Sequence, residues 1–165
     1  MKKLFLILFI IPLTVNAQSR FFKLTPDGFQ NRENPSLDYI VVDCPGKDKV
    51  ELYKRALTFL NKQFVSAQNV LSPIENETVS INAKKENIAN YWKRNYIMNY
   101  TISVQFKDEK IRIDMPTIND ISDQYNFRIG IKGNRISQTH IFIWNLKGDL
   151  KLEQTVKDVE NFFDR

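Results

Sequence analysis

The sequence predicts a single α+β domain, with a mostly antiparallel sheet carrying two helices packed on one face. Two segments repeat apolar residues every three or four positions, several others alternate apolar and polar residues with a period of two, and the order is strand, helix, run of strands, helix. Such an order is closed most economically by laying both apolar helix stripes on the apolar side of one sheet. The chain has 165 residues, 42% hydrophobic and 26% charged, which suits one globular domain and excludes disordered and collagen-like classes.

The opening segment has the form of a secretory signal. Lys2 and Lys3 precede the apolar run Leu4 to Leu13, and Val15-Asn16-Ala17 places small residues at the −3 and −1 positions of a cut between Ala17 and Gln18. Ten apolar residues are too few to cross a hydrocarbon core of about 30 Å. The expected product is an exported protein of the periplasm, cell envelope or exterior, with no transmembrane segment after cleavage. Without Lys2 and Lys3 it keeps 22 of its 24 basic residues against 19 acidic ones, a net charge of +3. A charge so small is no electrostatic footprint for nucleic acid.

Residues 18–37 read as an N-terminal extended segment, a short edge strand followed by a loop, with Pro26-Asp27-Gly28 as a turn. Asp38 to Cys44 is a β-branched strand stopped by Pro45-Gly46. An amphipathic helix over 48–64 follows, its stripe being Val50, Tyr53, Leu57, Leu60 and Phe64, and Asp48 with Glu51 forms a capping box. Val79, Ile81 and Ala83 alternate as a strand. The segment 97–106 presents Tyr100, Ile102, Val104 and Phe106 on one side, and Asp108-Glu109 turns it into Ile111, Ile113 and Met115 as an antiparallel hairpin ended by Pro116.

Phe127, Ile129 and Ile131 define a further strand, 132–139 a turn, and Ile141 to Leu146 another strand with both faces apolar. The last helix begins near Asp149 or Leu150 and buries Leu152, Val156, Val159 and Phe163. Lys157, Asp158, Glu160 and Asn161 are expected to face solvent. The domain therefore spans 38–165.

The stretches Leu24-Thr25-Pro26-Asp27-Gly28-Phe29, Tyr39-Ile40-Val41-Val42, Glu51-Leu52-Tyr53-Lys54-Arg55-Ala56 and Asn99-Tyr100-Thr101-Ile102-Ser103-Val104, the last leading to Lys107-Asp108 and Ile111-Arg112, resemble an exported Bacteroidota family. The resemblance covers 37–116 best. It implies a domain of unknown function with a fold similar to the TATA-box-binding protein: a curved, mostly antiparallel sheet with two helices on one face. The family has no known catalytic residues and lends none to this chain.

Counting residues restricts chemistry further. A single Cys44 leaves no internal disulfide, and its place at the end of an apolar strand predicts a buried thiol, the alternative being an intermolecular disulfide. His140 is the only imidazole, so a nucleophile–base pair or a zinc site has few possible members. Glu109 and Asp114 are the candidates for a carboxylate-dependent glycan hydrolase. No catalytic, metal or cofactor residue is assigned, and no cofactor is expected.

DNA binding by a fold of this kind needs basic residues and Phe wedges on one sheet face. Lys84-Lys85 and Lys93-Arg94, interleaved with Tyr91, Trp92 and Tyr96, are candidates for such a run, and the signal segment directs the protein away from chromosomal DNA. Nucleic acid is therefore not expected as a partner. The expected function is non-catalytic: a structural or protein-binding module of the envelope, with Tyr91, Trp92, Tyr96 and Trp144 as candidate contact residues because Trp and Tyr dominate binding hot spots. The alternative is a small apolar ligand or glycan held beside the sheet near Phe21, Phe22 and Phe29. The partner or ligand itself, and the oligomeric state, are not assigned.

Overall fold

Residues 21–134 and 139–163 are described by the computed structural model of the chain. The expected signal segment and its cut, and the middle of the expected turn at 132–139, lie outside the described residues. The described elements are ten strands and three helices.

Pro26 and Asp27 turn the chain between β1 (Phe22–Thr25) and β2 (Gly28–Asn31), which pair antiparallel in a small sheet of their own. The N-terminal segment is thus a hairpin, not one strand and a loop. Gly28 sits at φ 110°, a conformation that glycine reaches without a Cβ penalty.

The main sheet has eight strands: β3 (Tyr39–Asp43), β4 (Leu71–Ile74), β5 (Thr78–Tyr91), β6 (Arg94–Lys107), β7 (Lys110–Asp114), β8 (Thr117–Ser122), β9 (Arg128–Lys132) and β10 (His140–Trp144). The long strand β6 lies at its centre. One edge of β6 pairs with β5 along most of its length, while the other pairs with β8 at residues 97–101 and with β7 at 104–107. β3 lies outside β7, β4 outside β5, and β9 with β10 outside β8. All pairs are antiparallel except β9 with β10, which run parallel and make the sheet mixed.

The helices occupy the face of β6 that carries Tyr96, Met98, Tyr100, Ile102, Val104 and Phe106. α1 (Lys49–Gln63) covers the end containing Phe106, with Leu52, Tyr53, Val79, Ile81 and Leu71 in one buried cluster. α3 (Glu153–Phe163) covers the other end, where Val159 and Leu152 pack with Met98, Tyr96, Ile121, Ile143 and Trp144. A four-residue helix, α2 (Ala67–Val70), lies between α1 and β4, so the helices number three where two were expected. The opposite face is polar: Thr101 donates to Asn82 (2.8 Å) and receives from Asn119 (2.9 Å), and Gln105 donates to Asp114 (3.3 Å).

Several local expectations are corrected. Val50 is exposed, since the buried stripe of α1 runs through Leu52 and Tyr53. Asp48 does cap α1, its carboxylate receiving the Glu51 amide at 2.8 Å, but the Glu51 side chain turns to Lys47 (2.9 Å) and Arg55 (2.6 Å) and does not complete the box. Cys44 lies just past β3 and is half-buried, its amide held by the Glu109 carbonyl at 2.7 Å. α3 starts at Glu153 because 145–151 first turn back on β10, with Asn145 and Asp149 bonded through both backbone and side chains. Glu160 does not point to solvent: its carboxylate accepts the Leu24 amide at 2.7 Å and pairs with Arg32 at 3.2 Å, fastening the N-terminal hairpin to α3.

Candidate functional site

Strands β5 and β6 are joined by the two residues Trp92 and Lys93, with Tyr91 opposite Arg94. Both turn residues have positive φ, 51° and 58°. That backbone is the left-handed two-residue turn that matches strand twist, and Asn-Gly fits it best. A side chain with a Cβ costs about 1–2 kcal/mol there, so Trp92 holds this place against local preference.

Neighbouring residues order the tip. The Trp92 ring lies 4.9 Å from that of Tyr91, tilted by 32°. The Arg94 guanidinium pairs with Asp123 at 2.8 Å and stacks over the rings of Phe127 (3.8 Å) and Tyr125 (5.3 Å). Asp123 also accepts the amides of Tyr125 (2.8 Å) and Phe127 (2.9 Å), tying the loop before β9 to the hairpin. Burial pushes the Asp123 carboxyl up, but the Phe127 and Tyr125 amides and the Arg94 charge outweigh it and hold the group below the usual Asp value. Trp92 is 50% and Tyr125 65% exposed, and a recess of about 510 Å³ beside them is walled by Glu86, Lys93, Arg94 and Asp123.

The four expected contact residues do not form one patch. Tyr91 and Trp92 come together at the tip, whereas Tyr96 (1% exposed) and Trp144 (7%) are core residues beneath α3. Burial, reinforced by the Asp123 charge, pushes the Tyr96 hydroxyl above the ordinary tyrosine range. Tyr125 was missed as a contact residue because it opens the alternation of Phe127, Ile129 and Ile131 and reads as strand, and Arg94 because its aromatic partners lie about thirty residues downstream.

A second concavity, of about 830 Å³, lies between α1 and α3 above the sheet. Phe59, Leu60 and Phe64 of α1 form one wall, Phe162 and Phe163 of α3 the other, and Tyr100, Ile102 and Ala89 the floor. The pocket expected at Phe21, Phe22 and Phe29 is instead filled: Phe22 and Phe29 pack edge-on against Phe163 at 6.4 and 5.0 Å.

The residues weighed for catalysis stay apart. Glu109 and Asp114 bracket β7, and five steps of about 3.3 Å separate them by roughly 16 Å, beyond the roughly 5–10 Å of paired glycosidase carboxylates. Glu109 accepts the Gly46 amide at 3.0 Å, and Asp114 binds Arg112 at 2.7 Å. The His140 ring nitrogen Nδ1 lies 3.3 Å from the Thr139 hydroxyl. Among the described residues no group of three or more His, Cys, Asp or Glu could hold a metal ion, and no helix is long and apolar enough to cross a membrane. Lys84 pairs with Glu86 and Arg94 with Asp123, while Lys85 points to the helix-bearing face, so the basic run lines no single surface.

A mixed sheet with its helices on one face and a polar second face defines an α+β domain of the TBP-like class. Residues 39–120 match the family described as "Domain of unknown function (DUF4468) with TBP-like fold", and over those residues the chain carries a domain of that family. A DUF4468 family protein from Bacteroides ovatus has a similar fold, with a TM-score of 0.54 and 13% identity over 76% of this chain and 78% of that one. A TBP-like protein from Parabacteroides distasonis aligns with a TM-score of 0.45 and 16% identity over 53% of this chain, which spans 58% of that protein's length. No curated protein matches the sequence.

Proposed function

We propose that the protein is an exported, non-catalytic module of the cell envelope that binds a protein partner through the β5–β6 hairpin tip. Export rests on Lys2, Lys3, the apolar run to Leu13 and the Val15-Asn16-Ala17 cut. The observation that carries the binding reading is the Trp92-Lys93 turn, whose positive φ values make Trp an unfavourable occupant of the position where it stands half exposed. Backbone strain of this kind concentrates at functional sites, and Trp92, Tyr91, Tyr125 and Arg94 are the residue types that dominate contact hot spots.

Replacing the turn by Trp92→Asn with Lys93→Gly separates fold from function. The double variant should unfold about 1 kcal/mol later in urea, because the strain is relieved. A photo-cross-linker placed at Tyr125 should capture one discrete envelope protein in the parent and lose it in the double variant. Undiminished capture of the same protein by the stabilised variant would sink the proposal.

A further inference from the structure

We propose that the cleft between α1 and α3 is a second site, separate from the hairpin tip, that takes the hydrocarbon chain of a single-chain carboxylate amphiphile and holds its head group at Lys85. The row of β5 that faces the helices reads Val79, Ile81, Ala83, Lys85. The first two are buried under α1 and Ala83 is half-buried, whereas Lys85 is exposed at the edge of the cleft. Beside it the register of β5 slips between Lys85 and Ala89, with Asn87 at φ 54°, and the small Ala89 lies on the floor of the space lined by Phe59, Leu60, Phe162 and Tyr100.

The lining is mixed, with Phe59, Leu60, Phe162 and Phe163 apolar and Asn87, Asn90 and Asn161 polar, and Phe59 is 60% exposed. A volume of about 830 Å³ falls within the roughly 300–1,000 Å³ of small-molecule sites. Charge selects the head group. The Lys85 ammonium lies 5.8 Å from the Phe162 ring centre, and among the described residues no carboxylate pairs with it. The one acidic residue of the lining, Asp158, already accepts the Gln154 amide at 2.8 Å. An anionic head beside Lys85 with an apolar tail along Phe162 and Leu60 satisfies both features.

Calorimetric titration of the purified protein with octanoate, decanoate and 1-decanol tests this. Decanoate should bind saturably with one site, about tenfold or more tighter than octanoate, since each buried methylene contributes about fourfold. Lys85→Gln should weaken decanoate about tenfold and leave 1-decanol unchanged. Gln63→Trp, at an exposed lining position on α1, should abolish both while the fold persists by circular dichroism. Equal decanoate affinity in Lys85→Gln, full binding in Gln63→Trp, or no saturable binding in the parent each overturns the proposal.

Discussion

Asp123 is enclosed, yet it keeps its charge because two amides and a guanidinium converge on it. Its carboxyl titrates below the usual value, so the stabilisation it supplies is complete above the unfolded-state pKa and is lost as pH falls through the folded one. Asp123→Asn should therefore lower stability at neutral pH, and the difference from the parent should shrink in acid. Urea midpoints from pH 7 to pH 3 check this, and a gap that widens toward pH 3 would contradict the assignment. The same substitution should loosen the Tyr125 loop, because the amide side chain replaces an ion pair with a neutral contact.

At the scale of elements, α1 begins where Asp48 caps it, and Asp108 receives the next amide, Lys49, at 2.8 Å. Asp48→Ala should cost about 1 kcal/mol, whereas Glu51→Gln, which disturbs only exposed pairs with Lys47 and Arg55, should change the urea midpoint little. The elements legible in the sequence were those with one clear period or a dense apolar run: β3, α1, the start of β5, most of β6, the turn into β7, β9, β10 and α3. What stayed hidden shares a cause. Half of the β5–β6 hairpin was missed because Trp92-Lys93 carries none of the Gly, Asn or Pro signals of a turn, and because the register slip after Lys85 breaks the alternation. β8 has the sequence Thr-Ile-Asn-Asp-Ile-Ser, and its own slip opposite Asn99 and Tyr100 puts Ile118 and Ile121 three apart on the helix face, a spacing that does not read as a strand. The candidate site inherited these gaps, since Tyr91 and Trp92 were found as aromatics but their turn was not.

For the whole molecule, β6 belongs to both buried clusters, Met98 to the one under α3 and Phe106 to the one under α1. Removing either side chain leaves a cavity, at about 2–5 kcal/mol for Met98→Ala and about 3–5 kcal/mol for Phe106→Ala. With one strand common to both clusters, each variant should still unfold in one step. In a Trp92→Phe background, fluorescence of Trp144, which reports on the α3 cluster, should coincide with far-ultraviolet circular dichroism. Separated transitions would mean that the two ends of the sheet are independent.

Glu160 receives the amide of a residue 136 positions earlier in the chain. In a chain synthesised amino end first, Glu160 follows Leu24 by 136 residues. The aromatic hairpin at the front has no seat until Phe163 follows, and β3 has no neighbour until β7 appears. The topology thus makes the seating of the first hairpin depend on the last helix.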